Sequence, residues 1–251
     1  MITNSESGTS ITEIATDIFR ISTPVPPARL PGGFTFNQYL VKAAQPLLFH
    51  CGARALFPLV SQAVATVLPV AELRWISFGH VESDECGSMN QWLAAAPGAE
   101  VVHGNLACMV SLNDLADRPP RALAHDEVLD LGGRRVRWLD TPHVPHAWES
   151  GLMFEETTGT LFCGDLFTQL GDQPPAVTDA SIAPAAIAAE EMFRATAITP
   201  GTAPTLRALK ALAPARLAVM HGACFVGDCA AELEALAAYC EAKLHDARMA
   251  G

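Results

Sequence analysis

Apolar residues in the first third of the chain either alternate with polar residues or form short runs, which is the pattern of β-strands. A helix is predicted over residues 54–68, because Phe57, Val60 and Val64 fall on one stripe at helical spacing. The strands predicted around this helix cover residues 14–21, 34–41, 46–50 and 73–78. A turn rich in proline and glycine, residues 24–33, separates the first two of these strands.

The rest of the chain passes from a strand-rich stretch to a helix-rich one. Polar and apolar residues alternate through Arg135-Val136-Arg137-Trp138, as a half-buried strand requires. The strands predicted here cover residues 100–103, 127–131, 134–140, 151–156, 160–163 and 216–220. The predicted helices cover residues 88–96, 184–197, 203–212 and 228–245. This order predicts an α/β fold in which helices pack on both sides of a pair of sheets.

The bulk properties narrow the class of protein. No repeat, charge run or flexible linker marks a boundary, so the 251 residues predict a single domain over 1–251. The formal net charge of −11 argues against a nucleic-acid partner, which needs a basic face. There is no apolar run long enough for a membrane-spanning helix and no secretory signal, and the seven scattered cysteines fit reduced thiols. We therefore expect a cytoplasmic protein without membrane contact.

The segment His80-Val81-Glu82-Ser83-Asp84-Glu85 carries the first candidate chemistry, directly after an apolar strand. On a tight loop, residues two apart can turn toward one point, so His80, Glu82 and Asp84 can converge. Carboxylates held together repel one another, and a divalent cation relieves that repulsion. The segment thus predicts a metal site, although a polar loop of this composition is also typical of solvated surface.

Three further strands end on residues that can bind a metal. The strand over 134–140 leads to His143 and His146, the strand over 160–163 leads to Gly164-Asp165, and the strand over 216–220 leads to His221. Functional side chains commonly lie on loops that a rigid scaffold holds in place. Four such strand ends in one chain favour the metal-site interpretation over the solvated loop.

This pattern resembles the metallo-β-lactamase superfamily, whose usual signature is His-x-His-x-Asp-His, a later His, a Gly-Asp and a final His. The matching residues here are His80, Glu82, Asp84, His146, Gly164, Asp165 and His221. Glutamate at the second position resembles the flavodiiron proteins and their flavin-free relatives, the oxygen-binding di-iron proteins. The stretch from His146 to Ser150 is similar to their His-Trp-Pro-Asp-Ser. The resemblance implies a four-layer αβ/βα sandwich.

The resemblance also implies two sets of metal ligands joined by one bridging residue. The first set is His80, Glu82, His146 and Asp165. The second is Asp84, Asp165 and His221, with Asp165 shared. Glu85 stands where the family has a histidine, so it either binds the second metal as a carboxylate or points away and leaves a weaker or empty site. Oxygen-rich ligands favour iron over zinc, so we expect two iron ions, with zinc or manganese as the alternative.

The remaining candidates are less specific. The Trp-Glu-Ser that follows His146 identifies His146 as the metal ligand. His143 is therefore expected beside the site but not on the metal. Trp148 is expected either to cover the metal or to pack in the core. His103 is expected either to line the cavity or to be simply packed. We expect structural or solvent-exposed roles for His50, His125 and His245, and the same holds for Cys86 and Cys224.

Three functions remain open on the sequence alone. The first is a di-iron protein, oxidoreductase-like, that binds or reduces oxygen or a related small molecule. The chain ends before a flavodoxin-like domain, so turnover would need a separate electron-donor protein, and binding without turnover would make a sensor. The second is a hydrolase of a thioester, lactone or similar ester, in which Asp84 orients a metal-activated water. The third is a binding module that retains one metal. The di-iron relatives pair, which implies a homodimer.

Overall fold

The computed structural model describes residues 1–249, in which two mixed seven-stranded sheets pack face to face. The first sheet comprises, in spatial order, β1 (Ser10–Ala15), β2 (Ile18–Val25), β3 (Phe34–Val41), β4 (Leu47–Phe49), β5 (Trp75–Ser77), β6 (Glu100–Gly104) and β7 (Arg121–Leu123). Strands β1 to β4 pair antiparallel, and β4 to β7 pair parallel. The helices between these strands are α1 (Phe57–Val64), α2 (Ser83–Cys86), α3 (Met89–Ala95), α4 (Asn105–Ala107) and α5 (Asn113–Leu115).

The second sheet has the spatial order β12-β14-β13-β11-β10-β9-β8. Its strands are β8 (Val128–Asp130), β9 (Arg135–Asp140), β10 (Gly151–Glu155), β11 (Thr160–Phe162), β12 (Val177–Thr178), β13 (Arg216–Ala218) and β14 (Cys224–Val226). Its helices are α6 (Ala183–Phe193), α7 (Thr202–Ala211) and α8 (Cys229–Met249). The parallel pairs are β11 with β13 and β12 with β14.

Successive residues of the central strands enter different cores, because side chains alternate between the faces of a sheet. In β4, Leu48 faces the helices α1 and α3, whereas Leu47 and Phe49 face the other sheet. In β11, Leu161 faces the helices α6 to α8 and Phe162 faces the first sheet. One apolar core therefore lies between the two sheets, and one lies between each sheet and its helices. The predicted four-layer αβ/βα sandwich is confirmed.

Several boundaries differ from the sequence-based prediction. The strand predicted over 14–21 is two antiparallel strands, since the chain turns at Asp17, whose φ is 57°. The strands β7, β12 and β14 are only two or three residues long, and the helical turns over 105–115 lack a clear apolar stripe, so no pattern indicated them. None of the helices in the described part of the chain is long and apolar enough to cross a membrane.

Candidate metal centre

The candidate ligands follow four different strands that end at the same edge of the sandwich. His80, Glu82 and Asp84 come after β5, His146 lies between β9 and β10, Asp165 follows β11 and His221 follows β13. The segment after β5 is not an open loop as expected, because Ser83–Cys86 forms one helical turn that Glu82 precedes. That turn places Glu82 and Asp84 near the ligands from the other sheet.

The first group consists of His80, Glu82, His146 and Asp165, each of which offers one ligand atom within 4.8 Å of the others. The Nε2 atom of His80 lies 2.8 Å from Glu82 Oε2 and 2.8 Å from His146 Nε2. The Nε2 atom of His146 lies 3.1 Å from Glu82 Oε2 and 3.4 Å from Asp165 Oδ2.

These distances fit a metal ion. Ligand atoms about 2.0–2.2 Å from a common ion lie roughly 3–3.5 Å apart, and the distances within this group, from 2.8 to 3.9 Å, lie on both sides of that spacing. Two imidazole nitrogens that face each other, as in His80 and His146, repel unless a proton or a cation lies between them. The group is formed by two nitrogen and two oxygen ligands, a set that suits iron as well as zinc.

The second group adjoins the first through Asp165. His221 Nε2 lies 3.1 Å from Asp165 Oδ1 and 3.6 Å from Asp84 Oδ2. Asp165 therefore directs one oxygen toward His146 and the other toward His221, as a carboxylate that bridges two ions does. His221 is held in place because its Nδ1 hydrogen-bonds the carbonyl of Thr35 at 2.8 Å, and Phe34 stacks on its ring with centroids 4.2 Å apart.

Glu85 differs from the expectation that it supplies a ligand. Its Oε2 accepts hydrogen bonds from the backbone N–H groups of Gly79 and His80, and its Oε1 lies 3.2 Å from His80 Nδ1. The carboxylate thus lies behind His80, on the opposite side of the ring from Glu82. Its full burial and two backbone donors hold it there. Of the two alternatives for Glu85, the structure has the one in which its carboxylate points away from the second group of candidate ligands.

His50 is the residue that the sequence interpretation missed. It follows β4, is fully buried, and its Nε2 lies 3.5 Å from Glu85 Oε1. Burial lowers the pKa of His50, and the charge of Glu85 offsets this only partly. The signal that pointed to the other histidines, an apolar strand that ends on a histidine, was present here too. The sequence nevertheless predicts a structural or solvent-exposed role for His50, because no convergent partner can be identified for it.

The electrostatics show opposite charges held close together. Burial lowers the pKa of His80, but the charge of Glu85 and hydrogen bonds with Glu82 raise it to about 11. A hydrogen bond with His80 lowers the pKa of Glu82 to about 2. Burial and the charge of Asp165 raise the pKa of Asp84 to about 6. Such a group of carboxylates is costly unless protons or a cation balance its charge.

Other candidate residues lie away from this group. Trp148 is 55% exposed and lies neither over the metal ligands nor in the core, so both expectations for it are wrong. His103 is packed between Phe78 and Trp138, with ring centroids 4.9 and 4.5 Å away, and burial lowers its pKa to about 3. The exposed histidines are His125, His143 and His245, while Cys224 is buried and Cys86 half-buried.

The fold and the site together define a metal-binding domain of the metallo-β-lactamase type. The profile of the "ODP family beta lactamase" matches residues 34–222, and the chain belongs to that family. The resemblance to the metallo-β-lactamase-like domain of flavodiiron proteins is thereby confirmed.

Among curated proteins, the chain is similar to "Putative diflavin flavoprotein A 1" of Nostoc sp., with 26% identity over 141 residues. That match covers 55% of this chain and 24% of the relative, so the chain spans about a quarter of the length of that relative. A similar relative, "Putative diflavin flavoprotein A 2" of Synechocystis sp., is 25% identical over 138 residues, which are 54% of this chain and 24% of that protein.

Solved structures share the fold at low identity. The rubredoxin oxygen:oxidoreductase of Desulfovibrio gigas has a TM-score of 0.79 and 19% identity, and the match covers 92% of this chain and 62% of that one. A fragment, residues 1–254, of the putative diflavin flavoprotein A 5 of Nostoc sp. has a TM-score of 0.80 and 17% identity, with 96% and 98% coverage. At these identities the likeness establishes the fold alone.

Proposed function

We propose that this domain holds a dinuclear iron centre that binds or reduces dioxygen or a related small molecule. The observation that carries the proposal is the convergence of His80, Glu82, His146 and Asp165 within 4.8 Å. The second oxygen of Asp165, directed at His221 and close to Asp84, supports a neighbouring second ion.

The choice of iron rests on the ligand types. The two groups together contain three carboxylates, Glu82, Asp84 and Asp165, beside three histidines and no thiolate. Carboxylate-rich sites suit iron and manganese better than zinc, which favours nitrogen and sulfur. Bound ferrous iron would supply the electrons and the open coordination positions for the chemistry of a small oxidant.

The residues of the chain prepare this site in three ways. Glu85 holds His80 so that Nε2 faces the ligand group, and Thr35 does the same for His221. The anionic side chains of Glu82 and Asp165 stabilise the higher metal charge that oxidation creates. The rings of Phe34 and Phe36, which pack on His221, limit the access of water from that side.

Because Glu85 is turned away, three protein ligands remain for the second ion: Asp84, Asp165 and His221. We therefore propose that the second ion binds more weakly than the first. Turnover needs electrons, and we propose a separate electron-donor protein as their source, while binding without turnover would serve a sensor. The homodimer and the cytoplasmic location stay predictions.

Spectroscopy of the reduced protein tests this function. The anaerobically reduced protein should gain visible or near-ultraviolet absorption when oxygen is added, and His146→Ala, which removes a ligand, should not. A protein that contains iron but shows no change with oxygen or nitric oxide would contradict the proposal.

A metal-dependent hydrolase is the second candidate, and the cavity beside the metal group favours it. Glu82, Asp84, His146, Asp165 and His221 all border an open cavity of about 540 Å³, which has room for an ester. In that reaction Asp84, whose Oδ1 has no hydrogen-bond partner within residues 1–249, would orient the attacking water. Against it stands Glu82, whose negative charge makes the metal a poorer Lewis acid.

A hydrolysis assay distinguishes the two candidate functions. Hydrolysis of a panel of thioesters and lactones, abolished by Asp84→Asn while the first metal stays bound, would favour the hydrolase. Absence of hydrolysis together with an oxygen-dependent spectral change favours the di-iron function. A protein that holds one metal and shows neither property would be the binding module.

A further inference from the structure

The cavity next to the metal ligands is much larger than a small oxidant requires. Its volume is about 540 Å³, whereas a water molecule takes up about 30 Å³ in the liquid. Cavities that hold organic ligands fall in the range of about 300–1,000 Å³. Dioxygen needs only a small part of this space.

Helix α6 creates the room through its small side chains. Ala186 and Ala189, which are buried on the inner face of α6, line the cavity, whereas larger residues at the same positions would fill it. At the end of α6, Phe193 lies against Phe34, with ring centroids 6.4 Å apart, and Phe34 in turn stacks on His221. An aromatic wall therefore leads from the metal ligands to the helix.

The opposite walls are also apolar. Leu166 and Phe167 come from the segment after β11, Leu206 from α7 and Leu236 from α8. All four belong to the apolar core between the second sheet and its helices, and each also borders the cavity. Polar side chains outside the metal group also line the cavity, namely those of Thr168, Glu190, Thr196, Thr202 and Tyr239. Mostly apolar walls with a few polar groups are the usual composition of a small-molecule site.

The charged groups around the cavity limit what it can hold. Among the described residues that line it there is no lysine or arginine, and the carboxylates are Glu82, Asp84, Asp165 and Glu190. The Glu190 carboxylate is already bonded by the backbone N–H and the hydroxyl of Thr196. A phosphate or a polyanion would lose its hydration in this cavity without gaining a contact with a lysine or arginine. Its transfer from water would therefore be unfavourable.

The charge balance differs at the end of the cavity that the metal ligands line. Two divalent ions would bring four positive charges against the three carboxylates that line the cavity there, Glu82, Asp84 and Asp165, because Glu85 lies behind His80 and faces His50. A single anionic head group would neutralise this excess. Asp84, Asp165 and His221 would hold the second ion, and because all three line the cavity, a head group in the cavity would reach that ion.

We propose that the cavity is a binding site for an apolar monocarboxylate of medium chain length, with the head group toward Asp84 and His221 and the chain along α6. The position of the chain is independent of the metal, whereas the preference for a carboxylate rests on the proposed dinuclear centre. An experiment can therefore contradict the position of the chain or the preference for a carboxylate independently of the other.

Calorimetry on the metal-loaded protein with decanoate and with decanol tests both parts. Ala189→Phe should weaken the binding of both ligands at least 10-fold, because the ring takes up the space of the chain. The matched control is Ala188→Phe, since Ala188 lies one position earlier on the same helix and does not line the cavity. Ala186→Leu is a smaller second change with the same expected direction, and circular dichroism and metal content verify that each variant folds.

The outcomes are distinct. Wild-type protein should bind decanoate at least 10-fold more tightly than decanol when loaded with metal, and equally weakly after chelation. Equal binding of the two ligands by the loaded protein overturns the head-group assignment but not the cavity. No binding of either ligand, or equal effects of Ala189→Phe and Ala188→Phe, overturns the proposal. Protein that takes up no second metal but binds decanol refutes the dinuclear centre and leaves the cavity assignment intact.

Discussion

Glu85 and Glu82 contact opposite nitrogens of the His80 ring. Nδ1 of His80 lies 3.2 Å from Glu85 Oε1, and Nε2 lies 2.8 Å from Glu82 Oε2. A carboxylate behind a metal-binding histidine fixes which nitrogen is free and raises its basicity. The residue at the position of the family's histidine therefore supports His80, a candidate ligand of the first group, and lies away from the second group.

This relationship predicts the effect of Glu85→Gln. The amide keeps the shape of the side chain but loses the charge and cannot satisfy His80 Nδ1–H and both backbone N–H groups with the same geometry. Loss of such a support typically costs about 10–100-fold in metal affinity. Competition with a chelator measures this affinity, and Glu100→Gln, a half-exposed site away from the metal, is the control. Unchanged affinity in Glu85→Gln would contradict the role assigned to Glu85.

The two metals should respond differently to loss of their own histidines. His221→Ala removes one of three protein ligands of the second ion, so the protein should retain the first ion and lose the second. His146→Ala removes a ligand of the first ion and should reduce the occupancy of both, because Asp165 is shared. Metal titration by calorimetry distinguishes the two patterns. If His221→Ala binds both ions as the wild type does, the second site is wrongly assigned.

A buried carboxylate away from the metal should make the stability depend on pH. Burial raises the pKa of Glu155, but hydrogen bonds from Thr158 and Thr157 outweigh it, and the pKa lies below the ordinary value of 4.5. The charged form is thus favoured in the folded protein. Its contribution to the free energy of unfolding is present above pH 4.5 and is lost as the pH falls through the lowered pKa.

Glu155→Gln should accordingly lower the free energy of unfolding by about 1–3 kcal/mol at pH 7. The difference from the wild type should shrink as the pH falls below the ordinary carboxyl range. Urea unfolding at several pH values measures both quantities, with Glu6→Gln, at an exposed position, as the control. A difference that stays constant from pH 7 to pH 3 would show that the charge of Glu155 plays no part.

Much of the fold and the positions of the candidate ligands could be predicted from the sequence because they depend on local patterns. An apolar strand such as β11 or β13 is recognisable from its residues, and the residue after it must lie at the edge of the sheet. For that reason the sequence alone predicts that His146, Asp165 and His221 lie near His80, as they do.

The features that could not be predicted depend on contacts between distant segments. The carboxylate of Glu85 lies behind His80 because the helical turn Ser83–Cys86 brings it to the backbone N–H donors of Gly79 and His80. Trp148, which lies close to His146 in the chain, is expected over the metal or in the core, yet its side chain is 55% exposed, while Glu149 and Ser150 after it are buried. The cavity arises only when α6 packs over the ligands.

The most direct test of the metal centre is elemental analysis of the wild type and His146→Ala, each purified without oxygen and without chelator. The wild type should contain about two irons per chain, or one where the weaker second site is partly empty, and iron should exceed zinc. His146→Ala should lose most of its iron, since His146 Nε2 lies within 3.4 Å of Asp165 Oδ2 and 3.1 Å of Glu82 Oε2. Zinc in place of iron, or equal iron in both proteins, would contradict the account.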